Sequence, residues 1–183
     1  MRQPTSDELK AEFARLGYKW LPFQGIAIRS RSTVTNTFDD LIGFIDRDKV
    51  WFASGTTEPG KWHLNNPGPK LGTGMVVPGQ YIDCWEPGLH HGKYDAWRQC
   101  APIKCYRDND RDDIPEETKV IEEGMFHHNW HCANQKAVSQ VNDKWSAMCF
   151  VQNDPVQYFD VFIRASHETG LTKYSATLLK EWL

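Results

Sequence analysis

Short strand-like runs bounded by turn residues dominate the chain after its first twenty residues. Residues 25–29 alternate along the backbone, and the apolar runs 41–45 and 50–53 flank the charged turn 46–49. Period-two alternation and paired runs around a polar turn predict strands and a hairpin. Further strand-like runs cover residues 102–106, 125–131, 149–152 and 174–179. The chain is therefore predicted to be mainly β, a sandwich or barrel of mostly antiparallel strands.

Two helices are predicted beside the strands. Thr5 followed by Glu8 is a capping-box pattern, and apolar residues recur at helical spacing over residues 6–16. Asp154 and the proline after it suit the first turn of a second helix, which follows the last cysteine. Its apolar face is predicted to comprise Val156, Phe159, Phe162 and Ile163.

Length and charge narrow the class of protein. The 183 residues show no repeat or linker, so one domain spanning 1–183 is expected, with 1–20 as a helical cover on a β-rich part, 21–183. A net charge of -3 gives no electrostatic reason to bind nucleic acid, and no apolar run is long enough to span a membrane. The first residues lack the apolar core of a signal peptide, which predicts a soluble protein of the bacterial cytoplasm or a phage particle.

The five cysteines and clustered histidines raise the question of metal binding. The cysteine number is odd and no CxxC pair occurs, so we expect mostly reduced thiols and no zinc ribbon. His127, His128 and His131 do not form an HExxH motif, and strand alternation would separate His128 from the other two. The acidic run 108–113 has Asp113 where a calcium loop requires glycine, which favours a solvated turn. No metal or cofactor is predicted.

The pattern with most chemical content joins His131 to Cys149. Fourteen residues separate His131 from Ser146, and Ser146-Ala-Met-Cys149 follows directly. A cysteine attacks as its thiolate, and a neighbouring imidazole can accept the thiol proton. His131 lies near the end of one predicted strand and Cys149 at the start of the next, so the two could meet at a sheet edge.

This pattern resembles the catalytic domain of L,D-transpeptidases, which carries a His, a spacer of similar length, and then Ser/Thr-His-Gly-Cys. The resemblance implies an L,D-transpeptidase-like β-rich fold, with Cys149 as the acyl-forming nucleophile and His131 as its base. It also implies that the carbonyl of Cys132 orients the His131 ring. Backbone amides at Met148 and Cys149 would form the oxyanion hole. Ser146 is expected to orient the turn rather than to attack.

The match departs from the family at two positions, Ala147 in place of the second His and Met148 in place of Gly. Several uncharacterised phage and bacterial proteins that this chain resembles carry Ser-Ala-Gly-Cys, so Ala147 is typical of that group. The wider likeness rests on residues 36–40, 56–60, 78–81, 91–94 and 107–110.

Two functions follow from the resemblance. The first is a peptidoglycan-directed cysteine acyl-transfer domain, either a hydrolase (carboxypeptidase or endopeptidase) or a transpeptidase. His90, His91 and His128 are candidates for its substrate groove, although a solvated turn is the favoured interpretation of His90 and His91. The second is a non-catalytic structural or binding protein of a phage particle, with other phage proteins as partners, that keeps the fold after losing the site.

Overall fold

The computed structural model describes residues 1–32 and 34–183. Its strands, in chain order, are β1 (Phe23–Arg29), β2 (Asp40–Asp46), β3 (Lys49–Thr56), β4 (Thr73–Val76), β5 (Gly79–His90), β6 (Tyr94–Gln99), β7 (Ile103–Asp108), β8 (Ile121–Gly124), β9 (Asn129–Cys132), β10 (Phe150–Gln152) and β11 (Tyr174–Lys180). Its helices are α1 (Ser6–Leu16), α2 (Lys61–Asn65), a π-helical segment (Gln157–Ile163) and α3 (Arg164–Glu168).

Eight of these strands close into a barrel in the order β1-β11-β5-β6-β9-β10-β3-β2. The pairs β1–β11 and β9–β10 are parallel, and the other described pairs are antiparallel. β4, β7 and β8 form a separate three-stranded sheet. The prediction of a mainly β chain is confirmed, and of the two architectures left open by the sequence the large sheet adopts the barrel.

The N-terminal helix forms where the sequence places it. The Thr5 side chain accepts a hydrogen bond from the Glu8 amide at 3.3 Å, and the Glu8 carboxylate accepts one from the Thr5 amide at 2.8 Å. Gly17 ends the helix with a φ of 73°. Leu9 and Phe13 are buried in one apolar cluster with residues of β1, β2, β3 and β11, so α1 packs against the outside of the barrel.

Aromatic side chains fill the inside of the barrel. Trp85, Trp97 and Trp130 are almost completely buried in the largest apolar cluster, which Tyr158 and Phe162 of the π-helical segment join. The Trp97 ring stacks on Tyr174 at 4.3 Å between centroids. Each such side chain contributes about 1.5–3 kcal/mol on burial, so this cluster is a main source of the fold's stability.

The second helix begins at Pro155, directly after Asp154. The Asp154 carboxylate accepts a hydrogen bond from the backbone amide of Val156 at 2.9 Å. Its predicted apolar face is partly wrong: Val156 is 60% exposed, whereas Tyr158 is fully buried. The reason is the π-helical segment, because its wider turn brings residues four and five apart onto one face.

Two strand predictions need correction around β5, β6 and β9. The β5–β6 hairpin was missed, because Pro87 and Gly88 interrupt the apolar alternation of β5. The strand predicted over 125–131 is regular only from Asn129 onward. Upstream of it the Gln99 side chain accepts hydrogen bonds from the amides of Phe126 and His128, which replace ladder hydrogen bonds.

Candidate functional site

The site lies in the barrel wall where β9 and β10 run parallel. Their register pairs Trp130 with Phe150 and His131 with Val151. Trp130 and Phe150 belong to the interior cluster, so alternation places His131 and Cys149 together on the opposite face. The sequence predicted a meeting at a sheet edge; the structure instead places His131 on β9 and Cys149 directly before β10, and both strands lie within the closed barrel sheet.

The His131 ring is buried, with 2% of the residue exposed. Its Nδ1 lies 2.9 Å from the carbonyl oxygen of Cys132, which is the contact implied by the family resemblance. An Nδ1 that donates to a carbonyl leaves Nε2 with a lone pair. Nε2 is buried and has no hydrogen-bond partner among the described residues. Burial lowers the pKa of His131 to about 4, with the Cys132 contact opposing it, so the ring is neutral at pH 7.

The sulfur of Cys149 accepts a hydrogen bond from the Asn129 amide at 3.3 Å. The side chain is half-buried against the small apolar cluster of Phe38, Ala133 and Val151. Burial raises the pKa of the Cys149 thiol to about 11, although the Asn129 amide acts in the opposite direction. Among the described residues no hydrogen bond joins this sulfur to the His131 ring, so the two groups rest as a neutral thiol and a neutral imidazole.

Ser146 and Met148 shape the turn that leads into Cys149. Ser146 is fully buried and its hydroxyl donates to the Cys149 carbonyl at 2.7 Å, which suits an orienting role. Met148 is buried and is not among the residues with positive φ, so this turn does not require a glycine there. Its sulfur lies over Gly74 of β4, where an added Cβ would be 2.4 Å away. A glycine on a neighbouring strand therefore makes room for the Met148 side chain.

Two polar residues of the site were missed by the sequence reasoning. The Tyr94 hydroxyl donates to the Cys132 carbonyl at 2.9 Å and lies 3.4 Å from Nδ1 of His131. The Asn129 side-chain amide contacts Nδ1 of His90 at 2.9 Å, while its backbone amide holds the Cys149 sulfur. Asn129 could have been found, because it stands two residues before His131 on the same strand face. No local signal marked Tyr94.

The three histidines proposed for a substrate groove have different environments. His90 is half-buried and its ring stacks on His131, with centroids 3.9 Å apart and an interplanar angle of 17°. His91 is exposed beside it. His128 lies in no groove, which corrects the prediction: it is fully buried on the core side of the chain, and its Nδ1 accepts from Trp85 Nε1 at 3.1 Å.

An open depression of about 470 Å³ adjoins the site. Leu89, His91, Arg98, His127 and Asn129 line it. His91 and His127 have φ angles of 49° and 58°, a left-handed conformation that costs side-chain-bearing residues energy. Asn129 lines the depression and its backbone amide contacts the Cys149 sulfur, so this residue connects the depression to the site.

Comparison with known proteins gives no identification. No protein-family model matches the chain, and no curated protein matches it either. Across residues 1–32 and 34–183, no group of three or more His, Cys, Asp or Glu side chains is arranged to hold a metal ion. In the same residues no helix has both the length and the apolar character needed to cross a membrane. What defines the chain is its class: a mainly β protein whose closed barrel carries a histidine on one strand and a cysteine directly before the adjacent parallel strand.

Proposed function

We propose that the chain has an L,D-transpeptidase-like fold and is a cysteine acyl-transfer domain directed at the stem peptides of peptidoglycan. One observation carries the proposal: His131 presents a buried, unpartnered Nε2 on the sheet face that it shares with Cys149. A general base needs this tautomer, with Nδ1 engaged and Nε2 free to take a proton.

The reaction begins when Nε2 of His131 takes the proton of the Cys149 thiol as the sulfur attacks an amide carbonyl carbon. The carbonyl oxygen becomes an oxyanion, which the backbone amides of Met148 and Cys149 stabilise. Neither amide donates to a backbone carbonyl among the described residues, which supports this role. The His131 proton then passes to the leaving amine nitrogen as the C–N bond breaks, which leaves a thioester on Cys149.

The acceptor of the thioester decides the product. Water gives a carboxypeptidase or endopeptidase, and an amine gives a transpeptidase. The resemblance to phage proteins favours hydrolysis, because a phage enzyme has more use for opening a cell wall than for cross-linking it. Such a domain would act after release from the bacterial cytoplasm or from within a phage virion.

The test is digestion of purified peptidoglycan followed by mass spectrometry of the muropeptides. The wild type should generate new stem-peptide products, and Cys149→Ala should reduce them by several orders of magnitude while leaving the circular dichroism spectrum unchanged. Cys100→Ala is the matched control, because Cys100 is a partly buried free thiol outside the site. Identical products from the wild type and Cys149→Ala would contradict the proposal.

A second candidate is a non-catalytic structural or binding protein of a phage particle. The observation that favours it is the resting state of the pair, in which no hydrogen bond joins the Cys149 sulfur to His131 and burial keeps both groups neutral. Ala147 at the position of the family's second His points the same way. Light scattering separates the two functions: a large symmetric assembly together with unchanged peptidoglycan would establish the structural role.

A further inference from the structure

His90 reaches the site from a different strand and has no role in the reaction described above. It is the last residue of β5, and its ring lies nearly parallel to that of His131 at 3.9 Å. The Asn129 side chain holds His90 through Nδ1, and the Asn129 backbone amide also binds the Cys149 sulfur. Asn129 thus connects the His90 ring to the Cys149 sulfur, and ring stacking connects His90 to His131.

Stacking covers one face of the His131 ring. Because His131 is 2% exposed whereas His90 is half-buried, the His90 ring stands between the base and solvent. This cover is part of the burial of His131, and burial is the largest cause of its lowered pKa. Titratable groups surround His131 on several sides. His90 at the end of β5, His91 in the turn after it and Tyr94 at the start of β6 lie on one hairpin. The others are His128 directly before β9, Cys132 at the end of β9, and Cys149 directly before β10.

We propose that His90 is a positioning residue whose ring covers His131, excludes water from the base and holds it with Nε2 free. His90 acts through its flat aromatic face and the Asn129 contact, and it exchanges no proton with the substrate. Its part in catalysis rests on the proposed function, whereas its effect on His131 does not.

The cover has a consequence for pH dependence. A base works only when unprotonated, so its pKa sets the acid limit of the rate. With His90 in place, His131 stays neutral down to a pH of about 4. Without the ring, water reaches His131, its pKa moves up toward the ordinary histidine value, and the acid limb of kcat/KM moves up with it.

The test is an NMR titration of the histidine ring protons in four proteins: wild type, His90→Ala, His90→Phe and His167→Ala. The His131 signal is assigned by its loss in His131→Asn. We expect His90→Ala to raise the His131 midpoint by about one pH unit or more. His90→Phe keeps an aromatic face without the Asn129 contact and should restore most of the low midpoint. His167 is exposed on α3, so His167→Ala is the matched control and should change nothing.

The outcomes separate this inference from the proposed function. An unchanged His131 midpoint in His90→Ala, or an equal rise in His90→Phe, overturns the covering role. A shifted midpoint in a protein that does not act on peptidoglycan supports the cover and counts against the acyl-transfer function. Where activity is present, the acid limb of kcat/KM should move with the NMR midpoint in each variant.

Discussion

His131 and Cys149 are both held in their neutral forms by the same physical cause. Burial lowers the pKa of the imidazole to about 4 and raises that of the thiol to about 11, so a thiolate–imidazolium pair is not the resting state at pH 7. In the proposed acyl transfer, proton transfer would then accompany nucleophilic attack, as with a serine activated by histidine, instead of preceding it. A substrate that brings Nε2 and the sulfur together, and that displaces water from the depression, would favour this transfer.

Tyr94 is the residue whose removal tests the orientation of the base. The Cys132 carbonyl accepts hydrogen bonds from both the Tyr94 hydroxyl and Nδ1 of His131. The Tyr94 hydroxyl therefore holds this carbonyl in place, and the carbonyl in turn orients the His131 ring. In Tyr94→Phe we expect kcat/KM for the proposed peptidoglycan hydrolysis to fall about tenfold, because the neutral ring samples more orientations. Loss of the hydrogen bond should lower the free energy of unfolding by about 1 kcal/mol in urea titrations.

The matched control for Tyr94 is Tyr106→Phe on β7, a partly buried tyrosine whose hydroxyl makes no side-chain hydrogen bond to the described residues. It should leave both quantities unchanged within error. An unchanged kcat/KM in Tyr94→Phe would show that the Cys132 carbonyl needs no second donor.

At the scale of elements, the sequence predicted what local patterns determine. The β2–β3 hairpin and α1 follow from alternation, a polar turn and a capping box, which act within a few residues of each other. The β5–β6 hairpin was not predicted, because Pro87 and Gly88 interrupt the apolar alternation of β5. Its position in the sheet is evident only from the pairing of β5 with β11 and of β6 with β9. The π-helical segment was not predicted from the sequence. Its wider turn is recognised only from the packing, in which Tyr158 is buried and Val156 is exposed.

The candidate site was predictable to the same extent. His131, Ser146 and Cys149 stand close in sequence, so their spacing marked them as candidates before the fold was known. Tyr94 and the ring of His90 arrive from another hairpin through barrel pairing, which no spacing rule encodes. His128 was misplaced because a histidine beside a site resembles a groove residue until its burial against Trp85 is seen.

Contact between two elements explains why methionine is tolerated in the turn before Cys149. Gly74 on β4 leaves the space that the Met148 sulfur fills, and a Cβ there would stand only 2.4 Å from that sulfur. Gly74→Ala alone should cost about 1–3 kcal/mol through overpacking, and Met148→Gly alone about 2–4 kcal/mol through the cavity it leaves. In the double variant the alanine methyl occupies part of that cavity.

A double-mutant cycle measures this coupling. The double variant Gly74→Ala/Met148→Gly should be more stable than the sum of the single effects predicts, by about 1 kcal/mol or more in denaturant unfolding. Strict additivity would mean that the two positions do not share the space, and the methionine would then need another explanation.

For the whole molecule, closure of the barrel determines where the site can form. β11, the last strand, pairs with β1 in parallel and with β5 in antiparallel, which joins the two ends of the sheet. The wall β6-β9-β10, with His131 on β9 and Cys149 directly before β10, lies across the barrel from this junction. In a closed barrel the tilt of the strands and the stagger of their hydrogen-bond register are linked. The distance between His131 and Cys149 therefore depends on how side chains pack inside the barrel.

Gly25 on β1 is the position that tests this dependence. A Cβ there would lie 2.8 Å from Trp97, 3.0 Å from Trp130 and 3.2 Å from Ala176, all of them buried. Rigid rings cannot yield as a flexible chain end would, so Gly25→Ala should lower the free energy of unfolding by about 1–3 kcal/mol. Trp130 precedes His131 on β9, so its displacement should also reduce the rate of the proposed peptidoglycan hydrolysis.

Gly68→Ala is the matched control, because Gly68 is exposed and a Cβ added to it meets nothing within 4 Å. Urea unfolding followed by tryptophan fluorescence compares the two variants with the wild type. A midpoint for Gly25→Ala equal to that of Gly68→Ala would show that the barrel can expand around the extra methyl group. In that case the interior tryptophans would not fix the position of β9, and the site would depend on its own hydrogen bonds alone.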